Sequence, residues 1–161
     1  MSQSKTKQVK SPTGLSRLLW RAPIWFYRFN LGWLLTGRMM LINHIGRKSG
    51  KPRQNVVEVA RYDKATHTRY VCSGFGKNSQ WYRNLEAHPD ITIQTAGKKL
   101  AVHAKLLSPD ESADEMQRYV EHNPKLIKGL LNVVGYDVPD SMEGYRQLAH
   151  DKMPFVAFIP R

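Results

Sequence analysis

The sequence predicts an α+β fold in which one antiparallel sheet of about six strands curls into a small barrel with flanking helices. Three observations predict it. The 161 residues suffice for one domain. Strand-like segments between residues 38 and 107 follow one another through short turns, whereas helical patterns lie mostly near the N-terminus and late in the chain. The absence of βαβ alternation and of a glycine-rich dinucleotide fingerprint argues against a Rossmann fold.

Composition divides the chain into three predicted parts: a flexible basic tail over residues 1–13, an amphipathic helical segment over residues 14–37, and the barrel over residues 38–161. The middle part is rich in Leu, Trp and Phe and contains several arginines, and Pro23 predicts that it forms two helical pieces. Its apolar side either covers the main sheet or lies in an anionic membrane surface. The sequence leaves both possibilities open.

The first three strands are predicted from apolar runs that are bounded by turns. They cover residues 38–45, 53–62 and 68–73. Two glycines, Ser49 and Pro52 mark the turn between the first two strands. Because the connections are short, we expect these strands to pair as antiparallel neighbours.

The later elements are predicted from caps and turn residues. Ser108 and Glu111 have the spacing of a capping box, and Ala96-Gly97 is typical of a hairpin turn. The predicted order is helix, strand, strand, three helices and a last strand, over residues 80–87, 90–95, 98–107, 109–122, 125–134, 140–150 and 153–159.

Charge is the unusual property of the composition. The chain carries 25 Lys and Arg against 13 Asp and Glu, which gives a formal net charge of +12. Residues 1–60 contain eleven of these cations and one acid, Glu58. This distribution favours an anionic partner, and charge alone leaves open whether that is a nucleic acid, a membrane surface or a phosphorylated ligand.

Composition and cysteine count exclude several classes of protein. With 41% hydrophobic and 24% charged residues the chain is not disordered. The single cysteine, Cys72, excludes internal disulfides, and the six histidines lack metal-site spacing, so no metal is predicted. The sequence shows neither a run of about 18 apolar residues without a charge nor the apolar core of a secretory signal. The predicted location is therefore the cytoplasm, with the inner face of the membrane as a possible place of contact.

Two segments carry the candidate chemistry. Residues 46–53 combine two glycines, a serine and four cations without the order of a Walker loop. Close backbone approach and positive charge suit an anion there, although an exposed hairpin tip can also simply be basic. Residues 73–84 place a Gly-x-Gly loop before a helix N-terminus, which suits a phosphate or carboxylate. Trp81 either packs in the core or stacks on a flat heterocycle.

Both segments belong to a pattern that resembles the deazaflavin-dependent nitroreductase family. The pattern consists of Gly46-Arg-Lys-Ser-Gly-x-Pro-Arg53, Ser73, Trp81-Tyr-x-Asn-Leu-x-Ala-x-Pro89 and Met153-Pro-Phe-Val. The resemblance implies a split β-barrel that binds coenzyme F-420, a deazaflavin with a phosphate and a polyglutamate tail. It also implies hydride transfer from the reduced ring of this cofactor to an acceptor.

The resemblance further implies roles for individual residues. Tyr145 is implied as the catalytic residue on the substrate side, where its phenol donates a proton or hydrogen bond to the product oxyanion. The implied cofactor-binding residues are Arg47, Lys48, Ser49, Gly50, Lys51, Arg53, Asn55, Ser73, Gly74, Gly76, Lys77, Asn78, Trp81, Tyr82 and Asn84.

The predicted function is reduction of a small organic acceptor (a quinone, an enone or a nitro compound) by a reduced deazaflavin. The alternatives are an FMN-dependent oxidoreductase of the same barrel fold and a non-catalytic basic module that binds flavin or membrane. Nucleic acid is disfavoured because the aromatic residues cluster with leucines instead of alternating with cations on strands. A homodimer is an open expectation, since flavin barrels of this type often pair to complete the site.

Overall fold

The computed structural model describes residues 38–161 of the chain. The predicted basic tail over residues 1–13 and the amphipathic segment over residues 14–37 lie outside the described residues. The choice between a sheet-covering and a membrane-facing role for that segment therefore stays open. None of the helices in residues 38–161 has the length and hydropathy of a membrane span.

The described residues form one antiparallel sheet of seven strands. In chain order the strands are β1 (Met39–Ile45), β2 (Pro52–Glu58), β3 (Arg61–Asp63), β4 (Thr68–Cys72), β5 (Asp90–Thr95), β6 (Lys98–Leu106) and β7 (Phe155–Pro160). Their order across the sheet is β2-β1-β5-β6-β7-β4-β3. The predicted antiparallel sheet is confirmed, with one strand more than the sequence predicted.

The additional strand arises where the chain passes from one edge of the sheet to the other. The single strand predicted over residues 53–62 is divided into β2 and β3, which are the two edge strands. In a flat sheet of this size the edges would lie about 29 Å apart. The two-residue connection between β2 and β3 reaches about 11 Å. The sheet must therefore curl until its edges approach each other.

The connection itself is hydrogen-bonded to both sides of the curled sheet. The backbone N of Val59 donates to the carbonyl oxygen of Arg38, directly before β1, over 2.6 Å. The backbone N of Ala60 donates to the carbonyl oxygen of Tyr70, on β4, over 2.8 Å. These two bonds continue the β1–β2 and β3–β4 pairs into the connection, so the chain itself joins the two edges and the sheet has the form of a half-barrel.

Four helices and a 3-10 turn complete the described part of the chain. The helices are α1 (Gln80–Ala87), α2 (Pro109–His122), α3 (Pro124–Val134) and α4 (Met142–Asp151). The predicted capping box of α2 is confirmed, because Glu111 N donates to Ser108 Oγ over 3.1 Å and Ser108 N donates to Glu111 Oε2 over 2.8 Å. α4 begins later than predicted, because the hydroxyl of Ser141 caps it by accepting from the backbone N of Gly144.

Apolar side chains form two large clusters, one on each face of the sheet, and a small third one around Leu41. The inner cluster fills the inside of the half-barrel and includes Met40 and Ile42 of β1 together with side chains of α1. The outer cluster lies between the opposite face and helices α2 to α4. On β7, Val156 belongs to the inner cluster and Ala157 to the outer one, as the alternation of side chains along a strand requires.

Gly76→Ala is expected to lower the free energy of unfolding by about 2 kcal/mol. Gly76 has φ +76°, and a Cβ there would lie 2.8 Å from the carbonyl oxygen of Lys152. The left-handed conformation alone costs an L-residue roughly 1–2 kcal/mol. Gly129→Ala in α3 is the matched control, since its Cβ meets nothing within 4 Å and alanine favours a helix by roughly 0.5–1 kcal/mol. Urea denaturation measures both variants, and equal stabilities would contradict the prediction.

Candidate functional site

The predicted basic loop, residues 46–53, forms the turn between β1 and β2 and the first two residues of β2, at one end of the half-barrel. Two backbone bonds close the loop: Gly46 N donates to Lys51 O over 2.9 Å, and Gly50 N donates to Gly46 O over 2.8 Å. The φ of +65° at Gly50 is one that favours glycine. The exposed residues of the loop and of the start of β2 include Lys48, Ser49, Lys51, Arg53 and Asn55.

Arg47 turns from this loop towards α1. Its backbone N and its Nη1 both donate to Oδ1 of Asn84 at 3.1 Å, and Nη1 also donates to Oε1 of Gln80 over 2.9 Å. The structure therefore brings the predicted basic loop and the predicted tryptophan-containing helix into direct contact. It also shows that Nη1 of the Arg47 guanidinium is engaged by the protein itself, and the cofactor contact predicted for Arg47 stays a prediction.

Asn84 joins the basic loop to β1 as well as to α1. Its Nδ2 lies 3.0 Å from Nδ1 of His44, and the residue is 4% exposed. All the polar contacts of this amide are thus made inside the protein. We call the set of Arg47, Asn84 and His44 the clamp, because it holds loop, helix and strand together. The cofactor contact that the resemblance implied for Asn84 stays a prediction.

His44 is a residue of this site that the sequence analysis did not single out. It is 2% exposed, and its Nε2 has no hydrogen-bond partner among the described residues. Burial lowers the pKa of His44 from 6.5 to about 4; the side chain of Asn55 opposes this change and the charge of Arg53 adds to it. The sequence did contain a signal for the burial of His44. Alternate residues of a strand share a face, and His44 therefore lies on the same face of β1 as Met40 and Ile42, which face the inner cluster.

The loop of the second predicted segment, residues 73–79, is held in shape by its own small residues. Ser73 is fully buried, and its Oγ donates to the carbonyl oxygen of Gly76 over 2.8 Å and lies 3.0 Å from Oγ of Ser79. A Cβ on Gly74 would lie 3.3 Å from a side chain of α3, so glycine allows the loop to lie close to that helix. The exposed side chains of this segment are Lys77 and Asn78.

α1 directs its aromatic residues into the half-barrel. Trp81 and Tyr82 are 8% and 6% exposed and belong to the inner cluster, where their rings meet edge to face at a distance of 6.1 Å. Burial raises the pKa of the Tyr82 phenol. These rings therefore fill the inside of the barrel beside the clamp, and their predicted contact with a cofactor stays a prediction.

The sequence over residues 20–128, more than half of the chain, matches the model of the F420H(2)-dependent quinone reductase family. The chain belongs to the F420H(2)-dependent quinone reductase family. This membership bears out the resemblance that the loop and helix motifs indicated.

Two proteins that are similar to this chain come from Mycobacterium tuberculosis. One, provisionally named F420H(2)-dependent quinone reductase, is 35% identical over 92 residues, which cover 51% of this chain and 69% of the relative. The other, named F420H(2)-dependent quinone reductase, is 31% identical over 72 residues, which cover 45% of this chain and 48% of the relative. The match thus spans about half the length of the second relative.

A solved structure has the same fold as this family member. The structure of an F420-H2 dependent reductase superposes with a TM-score of 0.50 at 19% identity and covers 75% of this chain and 93% of that one. Similarity at this level of identity concerns the fold alone. Together with the curled sheet, it confirms the predicted barrel.

The basic loop of this family member fits an anionic cofactor such as coenzyme F-420. Lys48, Lys51 and Arg53 form no ion pair with an acidic residue in the part of the chain that the structure describes. Cations without internal partners, on a loop whose backbone is already closed, are suited to phosphate and carboxylate groups. Within residues 38–161 no group of His, Cys, Asp and Glu side chains is arranged to hold a metal ion.

Tyr145 lies apart from the residues that the clamp gathers. It is on α4, is 6% exposed and belongs to the outer cluster. Trp81 and Tyr82, by contrast, belong to the inner cluster on the other face of the sheet. The structure thus brings the two predicted loop segments together but places the predicted catalytic tyrosine among α2, α3 and α4. The catalytic role of Tyr145 stays a prediction.

Proposed function

We propose that this chain is a reductase that transfers a hydride from reduced coenzyme F-420 to a quinone. The observation that carries the proposal is the clamp. It fixes against α1 a loop with three unpaired cations, Lys48, Lys51 and Arg53, in a chain that belongs to the F420H(2)-dependent quinone reductase family. The names of the two relatives support the same donor and acceptor.

The contribution of the chain is to bind and orient the reactants. Reduced F-420 supplies the hydride when it is bound, and hydride transfer requires position and exclusion of water more than side-chain chemistry. Lys48, Lys51 and Arg53 bind the phosphate and carboxylates of the cofactor. Because the clamp already fixes the backbone of their loop, these cations lose less conformational entropy on binding. The rings of Trp81 and Tyr82, as part of the inner cluster, keep water out of the half-barrel beside the clamp.

The proposal is tested with the full chain, reduced F-420 and a soluble quinone under anaerobic conditions. Return of the absorbance of the oxidised cofactor, dependent on both protein and quinone, is the expected result. A parallel titration with FMN examines the alternative predicted from the sequence. Turnover with FMN and none with F-420 would replace the proposed function by that alternative.

Arg53→Ala is expected to weaken F-420 binding about tenfold, because a charge-assisted hydrogen bond contributes about 1.5–3 kcal/mol and exposure reduces it. Lys98→Ala is the matched control. Lys98 is exposed and follows the β5–β6 turn, at the end of the sheet opposite to the basic loop, because β5 is antiparallel to β1. Titration followed by cofactor absorbance gives both dissociation constants. Equal values for the two variants would remove Arg53 from the site.

Three further expectations concern the partners and location of the protein. The homodimer, the contact of residues 14–37 with a membrane and the cytoplasmic location stay predictions of the sequence. The proposed quinone narrows the predicted group of acceptors, which also contained enones and nitro compounds.

A further inference from the structure

His44 presents a buried hydrogen-bond donor that has no partner at hydrogen-bond geometry in the described protein, although the exposed side chain of Asn55 lies close enough to interact with the ring. The residue is 2% exposed, and among buried side-chain nitrogen and oxygen atoms of residues 38–161 only its Nε2 has no hydrogen-bond partner. Buried polar groups in native proteins are nearly always paired, because leaving one unpaired costs its full desolvation penalty. This atom therefore requires an explanation.

The clamp determines which nitrogen of His44 carries the proton. Oδ1 of Asn84 accepts the backbone N–H and the Nη1–H of Arg47, so the oxygen of this amide faces Arg47. Its Nδ2 then faces His44 and donates to Nδ1 over 3.0 Å. A neutral imidazole that accepts at Nδ1 carries its proton at Nε2. The unpartnered atom is thus an N–H group, which can donate but cannot accept.

This N–H group lies on the same side of the sheet as the predicted cofactor-binding residues of β2. In the β1–β2 pair His44 lies opposite Arg53, and Ile42 lies opposite Asn55. Opposite residues of an antiparallel pair share a face, so these side chains lie on the inner face with His44. Arg53 and Asn55 are exposed, whereas Met40 and Ile42 farther along β1 are fully buried. His44 therefore lies where the apolar inner cluster meets the basic opening of the barrel.

We propose that His44 is a cofactor-binding residue whose Nε2–H donates a hydrogen bond to an oxygen atom of bound F-420 beside Arg53. The inference rests on the proposed function. It adds a neutral hydrogen-bond donor to the cations of the basic loop that bind the cofactor. Because the clamp holds Nδ1 as an acceptor for Asn84, the ring presents only a donor to the ligand. It therefore selects for an acceptor oxygen at this position.

Two variants separate the donor from the packing of the ring. His44→Leu removes the donor and is expected to raise the dissociation constant of F-420 about tenfold or more. His44→Gln retains an oxygen for Asn84 and an N–H for the ligand, and it is expected to restore binding to within a few-fold of the unchanged protein. Urea denaturation without cofactor accompanies both titrations. The proposal would be overturned if each variant lost F-420 affinity only in proportion to its loss of stability. His44 would then have a structural role alone.

The Nε2–H of His44 also provides a readout that does not depend on catalysis. In protein with ¹⁵N-labelled histidine, its resonance is identified by its loss in His44→Leu. Addition of oxidised F-420 is expected to move this proton downfield and to slow its exchange with water. A shift with F-420 but not with a phosphate-free deazaflavin places the acceptor on the phosphate or the acidic tail, and a shift with both places it on the ring or its polyol chain.

The two proposals fail in different ways. If F-420 binds, as its absorbance reports, and the Nε2–H resonance does not move, the inference about His44 is overturned while the proposed function stands. If F-420 does not bind at all, both are overturned.

Discussion

Asn84→Ala is expected to lower the free energy of unfolding by about 3 kcal/mol and to release the basic loop from α1. The amide of Asn84 makes three contacts at 3.0–3.1 Å, two with Arg47 and one with His44. Its removal leaves the buried Nδ1 of His44 and the backbone N of Arg47 without these partners, and each such loss costs about 1 kcal/mol or more. Because the loop carries the cations of the site, we also expect weaker F-420 binding.

The matched control for this variant is Asn132→Ala. Asn132 is also a helical asparagine, but it is exposed on α3. Since alanine favours a helix more than asparagine does, we expect the control to be neutral or slightly stabilising. Urea denaturation measures both variants, and hydrogen exchange of the amides in residues 46–51 reports the release of the loop. Equal stability of the two variants, or unchanged exchange in Asn84→Ala, would show that the clamp does not hold the loop.

The free energy of unfolding is expected to rise by about 3 kcal/mol between pH 4 and pH 6.5 through His44 alone. Burial lowers the pKa of His44 from 6.5 to about 4 in the folded protein. Between these values the unfolded chain binds a proton that the folded chain does not bind. Stability therefore increases with pH across this interval, is fully present above it and is lost as the pH falls through it.

The comparison of the unchanged protein with His44→Leu isolates this contribution. Urea denaturation of both proteins at several pH values from 4 to 7 gives two curves of stability against pH. Because the other titratable groups are common to both, we expect the stability of the unchanged protein to rise by about 3 kcal/mol more than that of His44→Leu between pH 4 and pH 6.5. Parallel curves would show that protonation of His44 is not coupled to folding.

Elements with local signals were predicted correctly from the sequence. The capping box of Ser108 and Glu111 forms within one helical turn. The hairpin turn at Ala96-Gly97 is confirmed by φ values of +47° and +75° at these two residues. Such signals depend on neighbours within a few residues, so they hold in any fold that contains the segment.

The division of residues 53–62 into two strands could not be predicted in this way. Apolar alternation continues through Val57 and Val59, and nothing in these residues marks the passage from one edge of the sheet to the other. Whether a strand ends there depends on the strand order β2-β1-β5-β6-β7-β4-β3, which the pairing of distant segments decides. This pairing is non-local and has no signature in a short window of sequence.

The candidate site shows the same division between local and distant information. The sequence indicated the basic loop and the tryptophan-containing helix, because each motif is short and continuous. It did not indicate that Arg47 contacts Asn84, which is 37 residues away, or that His44 is buried with a free Nε2–H. Those contacts exist only because β1 and α1 meet in the folded chain.

The sequence by itself determined the order of the elements outside residues 53–62, the position of the basic loop and the family to which the chain belongs, since each of these is written in adjacent residues. Only the tertiary structure decided which side chains are engaged by the protein and which remain free for a ligand. The physical reason is that hydrogen bonding and burial are properties of an environment built from distant segments. Here that environment engages Arg47 and leaves Arg53 and the Nε2–H of His44 without internal partners.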